Sequence, residues 1–246
     1  MPRKMGYNLT IDQGNSSAKV TVWDKVDVVY DASFATLGCD DVLGILKDYP
    51  LIDRAIYSSV ANEGEEIINL LTSRKINTIN LNSTTSLPIT NAYKTPETLG
   101  KDRLAAAVGA WSRFKGSDIL VIDLGTAITY DIVTEQGCYI GGNIAPGVTM
   151  RLEALHHYTR RLPLVDPHGD LPMWGTDTET AIRSGVVNGI IGEITHYKNK
   201  LSGSCKVVLT GGAAAAIKQL LDFPVEIDQH LVTRGLNSIL IYNENN

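Results

Sequence analysis

Two stretches of the chain share one alternation of apolar and polar positions. In the first, Leu9 and Ile11 lead into Asp12, a polar break follows at Gly14, Asn15 and Ser16, and residues 19–23 alternate in character. In the second, residues 119–122 are apolar and lead into Asp123, Gly125, Thr126 and Ala127 break the run, and Ile128, Tyr130 and Ile132 restore the alternation. A period of two is the signature of strands, so each stretch predicts strand-turn-strand rather than strand-turn-helix. Asp12 maps on Asp123, Gly14 on Gly125 and Asn15 on Thr126, all at one offset of 111 residues. In a chain of 246 residues, that is a half-length duplication.

The same reading extends along both halves. After the first hairpin the pattern predicts a strand at 26–34, a helix at 40–49 and a strand at 55–60. A helix to Arg74 follows, opened by the capping-box spacing of Asn62 and Glu65, and then a strand at 78–81. Residues 83–99 hold Pro88 and Pro96 without periodicity and read as a loop into a helix carrying Leu104, Ala107, Val108, Trp111 and Phe114. The second half predicts a third strand at 137–143, a helix at 148–161, and a long helix from the Thr176/Glu179 capping spacing to Leu201. A strand at 207–210 entering Gly211-Gly212, a helix at 213–221, a short strand at 225–227 and a closing helix at 231–242 complete it. The expected division is two α/β domains, 1–115 and 116–246, a length that supports two cores.

Composition narrows the partners. The net charge is −5 with no long basic run, which excludes an electrostatic nucleic-acid footprint and a polybasic membrane anchor. No apolar run reaches the length of a membrane span, and residues 1–6 lack the apolar core of a signal peptide. Cys39, Cys138 and Cys205 are scattered and form no CxxC, which argues against a disulfide framework or structural zinc; a reducing cytoplasm is the expected location.

The chemistry points to phosphate. Neither GxxxxGK[ST] nor GxGxxG occurs, so a phosphate has to be held by the hairpins themselves. Gly14 allows backbone N–H groups to face an anion, Asn15 and Ser16 add side-chain donors, and Asp12 at a strand end suits a hydrated divalent cation; a plain hairpin is the other reading. Two such hairpins facing one another would grip a polyphosphate, giving a nucleotide-binding cleft. Thr210-Gly211-Gly212 suits either the approach of an adenosine ring or a tight strand-to-helix connection. Asp102 is placed to accept a proton from an attacking alcohol or to cap the helix it begins, and Arg103 to grip a carboxylate in a forked, charge-assisted pair or to sit in a surface ion pair.

Taken together, Asp12-Gln13-Gly14-Asn15-Ser16 with Lys19, Gly100-Lys101-Asp102-Arg103, Asp123-Leu124-Gly125-Thr126-Ala127, Gly141-Gly142 with Pro146-Gly147, and Gly211-Gly212 resemble the ordered motifs of type III pantothenate kinase over nearly the whole chain. The resemblance implies the actin, hexokinase and Hsp70 superfamily: two duplicated ribonuclease-H-like domains, each a mixed five-stranded sheet with helices, enclosing ATP. It assigns Asp12, Gln13, Gly14, Asn15, Ser16, Ser17, Ala18 and Lys19 to the ATP phosphates, with Asp12 near Mg²⁺, and Thr126, Gly211 and Gly212 to the nucleotide. Asp123 would hold a monovalent cation, K⁺ or ammonium. Tyr93, Gly100, Lys101, Asp102, Arg103 and Thr178 would contact pantothenate, and Asp102 would be the general base. A cytoplasmic homodimer phosphorylating pantothenate at the entry to coenzyme A synthesis is the implied function. A kinase of another small hydroxylated metabolite, or an accessory regulatory protein of the same fold, are the alternatives, since some relatives were first described as accessory factors for transcription. Ser16 stands where the family commonly has Thr, which keeps the hydroxyl.

Overall fold

A computed structural model of the chain describes residues 6–14, 16–59, 64–201 and 204–244. Contacts divide it into two compact units: Met1–Lys115 with Gln136–Ile140 and His230–Asn246, and Gly116–Glu135 with Gly141–Gln229.

The first unit is built on a five-stranded sheet. Its strands are β1 (Tyr7–Gln13), β2 (Ala18–Asp24), β3 (Asp27–Phe34), β4 (Ile52–Ser59) and β5 (Asn77–Asn80), in the order β3-β2-β1-β4-β5. The meander β1-β2-β3 is antiparallel, whereas β4 and β5 run parallel to β1. Helices α1 (Cys39–Asp48) and α2 (Glu65–Ser73) supply the crossovers that parallel strands require. The Asn62 start expected for α2 lies outside the described residues; the cap position is Gly64.

Alternation gives this sheet two chemically different faces. Leu9 and Ile11 of β1, Val20 and Val22 of β2, and Ala55 and Tyr57 of β4 face Val42, Ile45, Ile67 and Leu71 of α1 and α2 in an apolar core. Against the other face pack α3 (Lys101–Arg113) and α7 (Leu231–Glu244). Polar groups key α7 there. Asn8 Nδ2 donates to Asn237 Oδ1 at 2.7 Å, Asn237 Nδ2 donates to the Lys25 carbonyl at 2.6 Å, and Thr21 Oγ1 donates to Thr233 Oγ1 at 3.2 Å. Arg54 on β4 pairs with Glu244 at the helix end.

The closing helix is therefore part of the first unit, and the boundary expected at 115/116 does not hold for it. The cause is a crossing of α3 and α7 so close that it is made of backbone. A Cβ on Gly235 would lie 1.7 Å from the Ala105 carbonyl oxygen, and one on Gly109 would lie 2.2 Å from that of Leu231. Residues 136–140 join the same unit because the start of β9 (Cys138–Pro146) pairs in parallel with the two-residue β6 (Thr90–Asn91), and Tyr139 packs 6.1 Å from the Tyr93 ring.

The second sheet contains β7 (Ile119–Leu124), β8 (Ala127–Val133), β9, β10 (Lys206–Thr210) and β11 (Glu226–Ile227), in the order β11-β10-β7-β8-β9-β6. It thus has six strands rather than the expected five, the extra one being β6, too short to show a period. Its core joins Leu120, Ile122 and Leu209 to Leu152 of α4 (Val148–Tyr158) and to Ile182, Val186, Ile190 and Ile194 of α5 (Thr178–Asn199). The long helix α5 is capped by Asp177, which accepts from Thr180 N at 2.9 Å, and not by Thr176. Helix α6 (Ala214–Lys218) is shorter than expected.

The duplicated hairpins differ by one residue. Gln13 pairs with Ala18 across a four-residue turn, but Leu124 pairs with Ile128 across three. The offset of 111 therefore holds up to the turn and becomes 110 beyond it, which aligns buried Ala18 with buried Ile128 and Val20 with Tyr130.

Replacing a helical glycine by alanine ordinarily stabilises by about 1 kcal/mol. At Gly235 the sign reverses, because the new methyl group enters the Ala105 carbonyl. We expect Gly235→Ala to lower unfolding free energy by about 2 kcal/mol or more, read from the urea midpoint.

Candidate active site

In the first unit the phosphate-type hairpin ends β1. Gly14 N donates to the Ser17 carbonyl at 3.0 Å and closes the turn, with Ser16 exposed and Ser17 half-buried; Asn15 lies outside the described residues. Asp12 is buried and pairs directly across the ladder with half-buried Lys19, so the carboxylate and the ammonium stem leave the same face of the sheet, the one covered by α3 and α7. Gln13 projects from the opposite face and lines a cavity of about 480 Å³ with Tyr57 and Gly64. Ala18 is fully buried in the apolar core, which leaves only its backbone to meet a ligand.

Helix α3 brings the second group to that same face. Gly100 occupies the cap position and leaves Asp102 in the first turn, where the helix dipole favours a negative charge. Asp102 is not the cap; its Oδ1 accepts from Arg103 N at 2.8 Å. Arg103 is not a surface residue either: it is 6% exposed, with its guanidinium carbon 5.9 Å from the Tyr93 ring centroid. Tyr93, Gly100, Asp102 and Arg103 are thus neighbours. Lys101 points elsewhere, into a cavity of about 200 Å³ with Leu81, Asn91 and Leu104.

In the second unit, Gly125 and Thr126 of the hairpin turn and Gly212 line one cavity of about 540 Å³, together with Val148, Met150 and Glu153 of α4. Gly211 beside it has φ +88°, and a Cβ there would lie 2.5 Å from Asp123 Oδ1. The glycine is required by both conformation and space. Asp123 is half-buried under this turn. Among the described residues no three His, Cys, Asp or Glu side chains converge as a metal cage. A lone carboxylate such as Asp12 is compatible with Mg²⁺, an ion that keeps several waters and takes its other ligands from phosphate. Thr178 is exposed, in a different place: an apolar groove of about 780 Å³ between α4 and α5.

Behind the second hairpin stands a network with no signal in the sequence, since its members are 42 and 63 residues apart. Glu193 Oε2 accepts from Tyr130 Oη at 2.9 Å and from Arg151 Nη2 at 2.8 Å, and Arg151 Nε donates to the Pro146 carbonyl at 2.7 Å. The next residue, Gly147, donates its N–H to the Thr126 carbonyl at 3.0 Å. Burial, and then the bond to Glu193, pushes the Tyr130 phenol above its usual range. Burial raises Glu193 as well, but its hydrogen bonds from Arg151 and Tyr130 outweigh that and hold it below its ordinary 4.5.

A family model described as type III pantothenate kinase matches residues 8–200. The chain belongs to the type III pantothenate kinase family. It is 46% identical over 242 residues to the type III pantothenate kinase of Bacteroides fragilis, covering 96% of this chain and 98% of that protein. To the Porphyromonas gingivalis protein of the same name it is 41% identical, covering 97% and 100%. Among solved structures, a Campylobacter jejuni protein assigned to the Baf family of transcriptional activators superposes with a TM-score of 0.63 at 26% identity, covering 97% of this chain and all of that one. The activator of 2-hydroxyisocaproyl-CoA dehydratase from Clostridium difficile, solved with bound ADPNP, gives 0.53 at 12%, covering 96% and 93%, a likeness of fold alone. This type III pantothenate kinase family member thus has the mixed α/β, actin-like ATPase and sugar-kinase fold that the resemblance implies.

Because the folded Glu193 titrates below its unfolded value, its contribution to stability is present above about pH 4.5 and is lost as pH falls through the depressed value. In Glu193→Gln that acid-dependent loss should shrink, which urea midpoints taken from about pH 7 down to about pH 3 would register.

Proposed function

We propose that this chain transfers the γ-phosphate of ATP to the primary hydroxyl of pantothenate, giving 4′-phosphopantothenate at the first step of coenzyme A synthesis. The observation that carries the reading is the neighbourhood of Tyr93, Asp102 and buried Arg103 at the start of α3, over the same sheet face from which Asp12 and Lys19 project.

The roles follow from charge and reach. Asp102, held by its own Arg103 N–H in a first helical turn, takes the proton of the attacking alcohol. The Arg103 guanidinium, packed against Tyr93, grips the pantothenate carboxylate. The turn from Gly14 to Ser17 and Lys19 holds phosphate oxygens, while Thr126 and the Gly211-Gly212 turn meet the nucleotide, a reading supported by the cavity that Thr126 and Gly212 share. Asp12 would hold Mg²⁺ through water and Asp123 a monovalent cation, K⁺ or NH₄⁺; bound at the phosphates, Mg²⁺ offsets the charge that develops on the transferring group.

Two further parts belong to this reading. One is a homodimer, supported by the apolar groove between α4 and α5, where Thr178 lies with Leu155, Tyr158 and Ile182, and the other is a cytoplasmic location. No helix among the described residues is long and apolar enough to cross a membrane. A second reading, a regulatory protein without turnover, draws on the Campylobacter jejuni neighbour assigned to a family of transcriptional activators.

A coupled assay of ATP consumption with and without pantothenate, run in K⁺ and in Na⁺, separates these readings. Saturable consumption that depends on pantothenate supports the kinase, consumption with another alcohol moves the substrate, and none with any alcohol leaves the regulatory role. In Asp102→Asn, turnover should fall by roughly 10²-fold or more with nucleotide affinity unchanged.

A further inference from the structure

The ladder places a third group beside Asp12. On one side Asp12 pairs with Lys19 of β2, and on the other it is in register with Ser58 of β4. Residues in register across a sheet project from the same face, so Lys19, Asp12 and Ser58 form a row across three strands. The residues one step along confirm the assignment, because Ile11, Val20 and Tyr57 all lie in the apolar core beneath α1 and α2. Ser58 is therefore on the α3 side of the sheet, on the strand that α3 packs against.

Ser58 is 0% exposed, and its Oγ has no hydrogen-bond partner among the described residues. Burying a hydroxyl without a partner is destabilising, and native proteins pair nearly all such groups. A serine that only filled space here would be better replaced by alanine. A serine whose partner arrives with a ligand accounts for the cost.

We propose that Ser58 Oγ donates a hydrogen bond to a terminal phosphate oxygen of the nucleotide held at the Asp12 hairpin. The proposal rests on the ATP reading above and adds a residue to it. Lys19 and Ser58 then flank the Asp12 carboxylate as a charged and a neutral donor. An anionic oxygen is the acceptor that makes such a bond strong, because a charge-assisted hydrogen bond is roughly twice as strong as a neutral one. Helix α3, which carries Asp102 in its first turn, packs against β4, the strand that bears the hydroxyl, and this favours the terminal phosphate over the inner ones.

The test uses the full chain and Ser58→Ala, which removes the hydroxyl and nothing else. Thermal unfolding without ligand should show the variant as stable as the parent or more so. Calorimetric titration should show its affinity for the Mg²⁺ complex of a non-hydrolysable ATP analogue reduced by about ten- to a hundredfold, with affinity for ADP, which lacks the terminal phosphate, kept within about threefold. A lowered melting temperature in the variant would assign the hydroxyl to the fold and overturn the proposal. Unchanged analogue affinity, or equal loss for analogue and ADP, would overturn it too. If the parent chain bound no nucleotide at all, the ATP reading itself would fall, and that result is distinguishable because it appears without any substitution.

Discussion

The register of β1 between β2 and β4 is the constraint on which the first unit depends. Side chains alternate along a strand, so a slip of one residue would exchange the two faces completely. In the observed register Leu9, Ile11, Val20 and Tyr57 meet α1 and α2, while Asn8, Thr10, Thr21 and Trp23 turn the other way. The second face is held by directional bonds: Trp23 Nε1 donates to Thr10 Oγ1 at 3.0 Å, and Asn8 and Thr21 reach Asn237 and Thr233 of α7. Apolar packing tolerates small shifts, but a buried amide or hydroxyl that loses its partner is penalised at once. The face that carries Asp12 is thus the one whose position is set by hydrogen bonds.

The second unit uses the same hairpin to a different end. Its turn is one residue shorter, and its strength comes from behind, through the chain from Glu193 and Arg151 to the Pro146 carbonyl and from Gly147 to Thr126. A charged pair serves here because it is only partly withdrawn from solvent; both Arg151 and Glu193 keep some exposure, which limits the desolvation cost that a fully buried pair would carry. Gly211, folded over Asp123, closes the other side of that turn. One hairpin is thus kept in place by its strand register and the other by its neighbours.

Most strands and helices were legible because their periods are local properties. The duplicated hairpins were legible twice over, since each supports the reading of the other. What local pattern does not carry is distance. Placing α7 with the first unit depends on two glycines, Gly109 and Gly235, whose role is to be absent as side chains, and no periodicity marks an absence. The cap of α5 fell one residue from its expected place because Thr176, Asp177 and Glu179 all offer capping chemistry, and the geometry of Thr180 decides among them. At the candidate site, residue types pointed to Asp102 and Arg103, but that Asp102 is not the cap and that Arg103 is buried rather than on the surface are facts of the fold. Glu193 and Ser58 had no signature of their own; each acquires meaning only from the neighbours that tertiary structure supplies.

The return of α7 to the first unit also bears on how the chain comes to be folded during synthesis. The second unit takes all its residues from within 116–229, whereas the first needs a helix made after all of these. As the polypeptide leaves the ribosome, the N-terminal sheet must wait with its amide- and hydroxyl-bearing face uncovered, while the unit encoded after it already has every residue that it requires. Contacts that span more than two hundred residues, such as Asn8 with Asn237, are the slowest kind to form. The order of completion of the two units therefore runs against their order of translation, and the sheet made first is finished after the unit that follows it.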